Sequence, residues 1–242
     1  MNTEIYGSGT PIIFIHGAGG ATSVWLFQKI YFERTNRVML VDLPGHGKSA
    51  GDSHDSIEAY SEVARNVLEE YNAGPVHLAG HSMGGAIAMH LAITYPGLFK
   101  SLILIGTGAK LKVHPEILEG IKKDKEKTAR AIIETAYSSS APAILKERSL
   151  REYIKNDAQT VFNDFTACDR FDFMGSLGGI SLPTLIICGN EDRFTPPKYS
   201  GYLAENIPGS VLALIKGAGH MVMIENPSEV NEAIESFITS LG

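Results

Sequence analysis

The chain has few of the residues that would define several classes of protein. It contains only two cysteines in 242 residues, Cys168 and Cys188, so neither a disulfide framework nor a CxxC pair is present. The formal net charge is −6, which disfavours binding to the phosphates of nucleic acids. No apolar run approaches the roughly 18–20 residues that cross a bilayer. The N-terminal residues also lack the basic and apolar regions of a signal peptide. These absences predict a cytoplasmic protein without nucleic-acid or membrane partners.

Motifs for metals and bound cofactors are also lacking. The eight histidines are scattered and form no HExxH pair. The glycine-rich segment 17–20 does not have the form of a Walker loop. The sequence therefore predicts a protein that needs neither a metal nor a cofactor.

Short apolar runs rich in Val, Ile and Leu recur along the chain, and they do not alternate with polar residues. Such runs are typical of strands buried on both faces, as in a parallel sheet. Amphipathic or apolar helical patterns separate most of them, and this alternation predicts an α/β protein with a doubly wound, mostly parallel sheet. The predicted strands are 12–15, 38–41, 76–79, 102–105, 185–187 and 211–215, and the predicted helices are 56–71, 83–95, 197–206 and 227–241.

The alternation stops between residues 110 and 178, where several helical patterns follow one another. We interpret this stretch as a helical insertion that caps the C-terminal edge of the sheet. The predicted organisation is a core of residues 1–109 and 179–242, with the helical insertion 110–178 between them.

The segment Gly80-His81-Ser82-Met83-Gly84 fits the pattern G-x-S-x-G. It follows a predicted strand and opens a predicted helix, which is the setting this motif requires. A serine on that sharp turn projects its hydroxyl from the edge of the sheet, and the flanking glycines let strand and helix approach each other. Ser82 is therefore the predicted nucleophile.

A serine hydroxyl needs a base, and the base needs a carboxylate to hold its tautomer. His220 lies in the loop after the last predicted strand, at the sheet edge that also carries Ser82. Asp192 follows the preceding strand, with Glu191 as a rival carboxylate beside it. Ser82, Asp192 and His220 occur along the chain in the order serine, acid, histidine, which is the order of the catalytic triad in folds where the serine lies on such a strand-to-helix turn.

When a serine attacks a carbonyl group, the carbonyl oxygen becomes an oxyanion, and backbone N–H groups are needed to bind it. We expect one from Met83, directly after the nucleophile. The second is expected from Ala18, with Gly19 as the next choice, because this glycine-rich loop follows the first strong strand. His16 is interpreted as a structural residue that holds the same loop.

These residues resemble the α/β-hydrolase superfamily, in particular its small capped serine esterases and related hydrolases. The resemblance is carried by His16-Gly17, the segment Asp42–Ser49, the Ser82 turn, the Asp192 loop, Gly219-His220 and Asn226-Pro227. It implies an α/β-hydrolase fold with the helical cap inserted after the sixth strand. It also implies that Asp42–Ser49 is a structural loop, which places Asp42 and His46 outside the active site. Only eleven residues precede the first strong strand, so one N-terminal strand is expected to be missing or very short.

The resemblance also narrows the chemistry. Relatives that use aspartate in the turn, the haloalkane dehalogenases and epoxide hydrolases, are excluded by Ser82. The central prediction is a carboxylesterase that cleaves small to medium acyl esters through an acyl-enzyme on Ser82. Alternatives with the same triad are a thioesterase, a carbon–carbon bond hydrolase and a perhydrolase. The alternative from a different class is a binding protein that keeps the fold without the chemistry.

Substrate contacts are expected from Gly19, His81, Phe162 and Phe165. Apolar residues of the insertion either line an acyl pocket or form the insertion's own core. Residues 110–130 carry seven basic and four acidic side chains. This excess of positive charge either attracts an anionic acyl donor, such as a coenzyme A thioester, or belongs to a solvated helix face.

Overall fold

The six apolar runs form six strands of one seven-stranded sheet in the computed structural model, which describes residues 1–71 and 73–242. The sheet has the order β1-β3-β2-β4-β5-β6-β7, in which β1 is antiparallel to β3 and every other neighbouring pair is parallel. This is the predicted mostly parallel α/β sheet. The strands are β1 (Thr3–Tyr6), β2 (Pro11–Ile15), β3 (Arg37–Val41), β4 (Val76–His81), β5 (Phe99–Ile105), β6 (Thr184–Gly189) and β7 (Val211–Ile215).

Helices follow most of the strands. Helix α2 (Ile57–Glu70) illustrates why such segments are helical. Ser56 accepts a hydrogen bond from the Ala59 N–H and caps the first turn of the helix, and the apolar face of the helix is buried. Asn226 caps α10 in the same way. The helices are α1 (Leu26–Phe32), α2 (Ile57–Glu70), α3 (Met83–Thr94), α4 (Pro115–Lys123), α5 (Lys125–Ala136), α6 (Ala143–Tyr153), α7 (Ala158–Arg170), α8 (Pro197–Asn206), α9 (Val222–Glu225) and α10 (Pro227–Ser240).

The two faces of the sheet are covered by separate apolar clusters. Residues of α2, α3 and α8 pack on one face, and residues of α1, α9 and α10 pack on the other. The central strand β4 is buried along its whole length. The sheet is therefore doubly wound, and the carboxyl ends of its parallel strands meet at one edge.

The helical insertion lies between β5 and β6 and contains α4 to α7. The insertion was predicted to follow the sixth strand, and this prediction is wrong. A single strand, β1, precedes β2, so the strand before the insertion is the fifth and not the sixth. The residues before β2 form a short antiparallel strand joined by a turn through Gly7, in agreement with the shortened N-terminal region expected from the sequence. The insertion has its own apolar cluster, which includes Ile121, Ile133 and Val161.

Strand β7 departs from the prediction that every apolar run is buried on both faces. It lies at the edge of the sheet, and Val211 and Leu214 are 53% and 49% exposed. The run resembles the central strands in composition, but an edge position removes the neighbour that would cover it. Within residues 1–71 and 73–242, the helices are too short or too polar to cross a membrane.

Candidate active site

Ser82 occupies a strained turn between β4 and α3. Its backbone angles are φ 53° and ψ −115°. Among residues 1–71 and 73–242, Ser82 is the only residue other than glycine whose φ is positive. The Ser82 N–H donates to the carbonyl of Ile105 at 3.0 Å, and the Thr107 hydroxyl donates to the Ser82 carbonyl at 2.8 Å. A Cβ on Gly84 would collide with the carbonyl of Ile15, so the close packing of α3 against β2 requires glycine there.

His220 and Asp192 form a buried pair at the same sheet edge. Asp192 follows β6, and His220 follows β7. The Nδ1–H of His220 donates to Asp192 Oδ2 at 2.9 Å. This hydrogen bond fixes the tautomer of the imidazole and leaves Nε2 as its basic nitrogen.

The turn after β6 holds the Asp192 carboxylate. Asp192 Oδ1 accepts the backbone N–H groups of Phe194 and Thr195, each at 2.9 Å, and Oδ2 also accepts the Thr195 hydroxyl at 2.7 Å. Burial opposes the carboxylate charge, but the neighbouring His220 and these hydrogen bonds outweigh it and lower the pKa of Asp192. The role of Thr195 was missed in the sequence, although an aspartate three residues before a threonine in a loop is a signal for such a turn.

Glu191, the rival carboxylate, points elsewhere. Its Oε2 accepts hydrogen bonds from the backbone N–H and the hydroxyl of Ser139, both at 3.3 Å. Glu191 therefore connects the β6 loop to the helical insertion, whereas Asp192 contacts the imidazole.

Two backbone N–H groups near Ser82 lack a protein acceptor. Within the described residues, neither the Ala18 N–H nor the Met83 N–H donates to a protein atom. The Met83 N–H is at the first turn of α3, where such groups are available to an anion. Ala18 lies in the loop after β2 and lines the same cavity as Ser82.

His16 holds the loop that carries Ala18. Its Nδ1–H donates to the carbonyl of Gly17 at 2.8 Å, and its Nε2 accepts the Leu43 N–H at 3.1 Å. Burial, assisted by the charge of His46, lowers the pKa of His16 to about 4. His16 is thus a neutral structural residue, as the sequence indicated.

The four expected substrate contacts divide in the structure. Gly19, His81 and Phe165 line the cavity with Ser82 and His220, whereas Phe162 does not. The centroid of the Phe162 ring instead lies 3.8 Å from Lys122 Nζ. His81 Nε2–H donates to the His220 carbonyl at 3.0 Å, so His81 also supports the His220 loop.

The cavity has a volume of about 1110 Å³, and the helical insertion forms much of its apolar wall. Polar groups converge at Ser82 and His220, which is the usual arrangement of a small-molecule site. Four other apolar residues of this part of the chain, Leu118, Ile121, Phe171 and Phe173, lie outside the cavity lining. Insertion residues in the wall are Leu111, Ile117, Ile132, Ile133, Leu145 and Phe165, and core residues are Phe194, Met221 and Ile224.

Three of the seven basic residues in the stretch 110–130 form ion pairs with acidic side chains. Lys110 binds Asp172 at 2.6 Å and Lys112 binds Asp169 at 2.9 Å. Arg130 pairs with Glu126 on α5 at 2.7 Å. These contacts have the character of a solvated, mixed-charge helix surface.

Three buried histidines should make the free energy of unfolding depend on pH. Burial is the largest cause that lowers the pKa of His16 and His77 to about 4 and that of His81 to about 3. The unfolded chain protonates them near 6.5 whereas the folded chain does not, so lowering the pH through this window favours unfolding. The free energy of unfolding, measured with urea, should fall between pH 6.5 and 5, and the number of protons taken up on unfolding should rise toward about three at pH 5.

A variant outside the cavity provides the control for this effect. His77 Nδ1 forms a hydrogen bond with the hydroxyl of Ser101 at 2.8 Å. The substitution His77→Asn removes one of the three buried imidazoles but retains a polar side chain. The uptake should fall by about one proton. A free energy of unfolding that stays constant between pH 6.5 and 5 would contradict the prediction.

The fold and the family agree. The model of the alpha/beta hydrolase fold family matches residues 10–227, which include the Ser82 turn, the Asp192 loop and His220. The chain belongs to the alpha/beta hydrolase family and is a hydrolase of that family.

Its relatives include hydrolases of different kinds and one protein named as a component of an acetyltransferase. A thermophilic esterase of known structure is 35% identical, has a TM-score of 0.89, and is matched over 99% of this chain and 94% of that chain. The (E)-2-((N-methylformamido)methylene)succinate hydrolase of Acinetobacter baylyi is 27% identical, over 96% of this chain and 91% of its own length. The dihydrolipoyllysine-residue acetyltransferase component of the acetoin cleaving system of Pseudomonas putida is 28% identical over 95% of this chain, which spans 64% of that protein.

Proposed function

We propose that this protein is a carboxylesterase that cleaves small to medium acyl esters through an acyl-enzyme on Ser82. The observation that carries the proposal is that Ser82, on a strained turn, and His220, which is hydrogen-bonded to Asp192, line one apolar-walled cavity. The 35% identity to an esterase over almost the whole chain supports the same class.

In the proposed first half-reaction, Ser82 Oγ attacks the ester carbonyl and His220 Nε2 accepts the hydroxyl proton. Asp192 stabilises the resulting imidazolium through the Nδ1–H hydrogen bond. The N–H groups of Ala18 and Met83 bind the carbonyl oxygen as it becomes an oxyanion. The C–O bond to the alcohol then breaks, and His220 returns its proton to the leaving alkoxide oxygen.

In the second half-reaction, His220 takes a proton from water, which attacks the acyl-enzyme carbonyl. The tetrahedral intermediate collapses, the bond to Ser82 Oγ breaks, and the proton returns from His220 to that oxygen. A carboxylic acid leaves and Ser82 is regenerated. The chain's own residues supply every proton transfer in this scheme, so no cofactor takes part.

The proposed substrates are esters with an apolar acyl or alcohol group. The insertion places Ile132, Ile133 and Phe165 in the cavity wall, and Phe194 and Met221 face the same cavity from the core. Burial of apolar substrate surface against such a wall contributes about 25 cal/mol per Å². A short or medium chain would therefore bind better than acetate.

A panel of p-nitrophenyl esters with acyl chains of increasing length tests the proposal. We expect turnover that peaks at a short to medium chain, because burial against the apolar wall favours chains longer than acetate. Lactones, thioesters including acyl-CoA, and diketones complete the panel and distinguish the esterase from the alternatives with the same triad. Folded protein that turns over no ester of any chain length would contradict the proposal.

A further inference from the structure

The loop that carries the Ala18 N–H is held from the side of the helical insertion. The N–H of Gly19 donates to Asp164 Oδ2 at 2.8 Å, and the carbonyl of Gly19 accepts the Asn156 side-chain amide at 2.7 Å. Asp164 lies on α7, and Asn156 lies between α6 and α7. Both polar groups of the Gly19 backbone are thus bound by the insertion.

Asp164 is itself fixed to the core of the protein. Its side chain is fully buried, and in addition to Gly19 it accepts hydrogen bonds from His46 Nε2 at 2.7 Å and the Tyr60 hydroxyl at 2.6 Å. His46 Nδ1 lies 3.0 Å from the carbonyl of Pro44, so both ring nitrogens face acceptors, an arrangement that favours the protonated imidazole. Burial disfavours that charge, but Asp164 outweighs it and raises the pKa of His46. The Gly19 N–H is therefore bound by a carboxylate that an ion pair and a phenol hold in place.

The same group of residues reaches the Ala18 N–H from its other side. The ring of His16 packs against that of His46 with 4.8 Å between centroids, and His16 Nδ1–H donates to the Gly17 carbonyl. The Gly17 carbonyl and the Ala18 N–H belong to one planar peptide unit. The direction of the Ala18 N–H is thus determined by His16 before it and by the insertion's contacts with Gly19 after it.

Gly19 could not hold this position by its own conformational preference. Its φ of +63° lies in the left-handed region, and a Cβ there would collide with the ring of Tyr153 on α6. Glycine populates many backbone conformations about equally. The turn hydrogen bond from the Gly20 N–H to the Gly17 carbonyl, at 3.0 Å, and the two hydrogen bonds from Asp164 and Asn156 together select one conformation among several.

We propose that Asp164 and Asn156 are positioning residues, through which the helical insertion determines the place of the Ala18 N–H in the oxyanion hole. This inference rests on the proposed function of Ser82. The insertion then does more than wall the cavity, because the oxyanion hole would be incomplete without it. Since the oxyanion exists only in the transition state and the tetrahedral intermediates, loss of this positioning should lower kcat and leave KM almost unchanged.

The test compares Asn156→Ala and Asp164→Asn with a matched control on the same helix. Asn163, next to Asp164, donates to the Ser53 hydroxyl at 2.9 Å, so it also connects the insertion to the core but makes no contact with the Ala18 loop. With p-nitrophenyl butyrate, we expect kcat to fall about 10- to 100-fold in the first two variants, because a displaced donor loses most of its effect. We expect Asn163→Ala to stay close to wild type.

A trifluoromethyl ketone provides a second readout. The serine oxygen adds to its carbonyl and forms a hemiketal whose oxyanion lies where the intermediate's would. Its Ki should rise by about the factor by which kcat/KM falls, as expected of a transition-state analogue. The Ki of 1-butanol, an uncharged inhibitor with no carbonyl or carboxylate oxygen for the oxyanion hole, should stay the same. A residue with a merely structural role would not separate the two inhibitors.

Three results would overturn the proposal: wild-type kcat in a folded Asn156→Ala, an equal loss in Asn163→Ala, or a change confined to KM. If Asp164→Asn fails to fold, Asn156→Ala decides alone, since it removes no buried charge. Wild-type protein and Ser82→Ala are assayed in parallel. Wild-type turnover no faster than that of Ser82→Ala would refute the proposed function itself, which separates that failure from failure of the positioning role.

Discussion

Replacing Ser82 by alanine is expected to lower kcat for p-nitrophenyl esters by a factor on the order of 10⁵ to 10⁶, the effect of removing the nucleophile from a serine triad. Alanine keeps the Cβ, so the backbone strain of the turn is unchanged and the fold should persist. Only the Oγ that attacks the carbonyl is lost. Initial rates measured with enough enzyme to detect the residual activity would test this, with circular dichroism to verify the fold.

Ser210→Ala is a suitable control for Ser82→Ala. Ser210 lies before β7, and its hydroxyl bonds the carbonyl of Ala204 away from the cavity. It should retain wild-type kcat. If Ser82→Ala retained more than a few per cent of the activity, another group would be the nucleophile, and the proposed mechanism would be wrong.

Asp192→Asn should lower kcat about 10⁴-fold, the effect of this change in a well-studied triad. Asp192 Oδ1 accepts two backbone N–H groups, so the carbonyl oxygen of an asparagine will remain there. The new amide then faces His220 Nδ1 and donates to it. The imidazole is forced into the tautomer that carries its proton on Nε2, which cannot accept the proton of Ser82.

Glu191→Gln provides the control for Asp192→Asn, because it makes the same chemical change at the next residue. Glu191 bonds Ser139 and not the imidazole, so kcat should stay within about threefold of wild type. The kcat of both variants is measured with the same ester between pH 6 and 9. The reverse order of effects would show that Glu191 is the acid of the triad.

The strands and helices of the core were largely predictable from the sequence because burial dictates them. A strand covered on both faces, such as Pro11–Ile15, must be apolar, and a helix covered on one face, such as Ile57–Glu70, must be amphipathic. Strand Val211–Ile215 shows where this reasoning stops. Its composition resembles that of the central strands, and only the order of the sheet reveals that it lies at the edge.

The candidate site was predictable where the fold alone brings residues together. Ser82, Asp192 and His220 each follow a strand of a parallel sheet, so one rule places all three at one edge. The side of the site formed by the insertion was not predictable in this way. Phe162 and Phe165 differ by three positions on one helix, and the sequence could not tell which one faces the cavity.

Asp164 and Asn156 were missed for a related reason. Their partner, Gly19, is more than 130 positions away in the chain, and the contact is between side chains and backbone. No local pattern encodes such a contact. The sequence did contain one indication that Asp164 has partners. It lies in a helix of the insertion among apolar residues, and a carboxylate that is buried there needs several hydrogen-bond donors.

The most direct test of the central claim is covalent labelling of the folded protein with a fluorophosphonate. Serine hydrolases react with such reagents through the activated hydroxyl, with loss of fluoride and formation of a serine phosphonate ester. We predict about one label per chain, located by peptide mass spectrometry on Ser82, and much slower labelling of Asp192→Asn, whose imidazole cannot accept the proton. Absence of a label on Ser82 in folded wild-type protein, or a label on a different serine, would contradict the account.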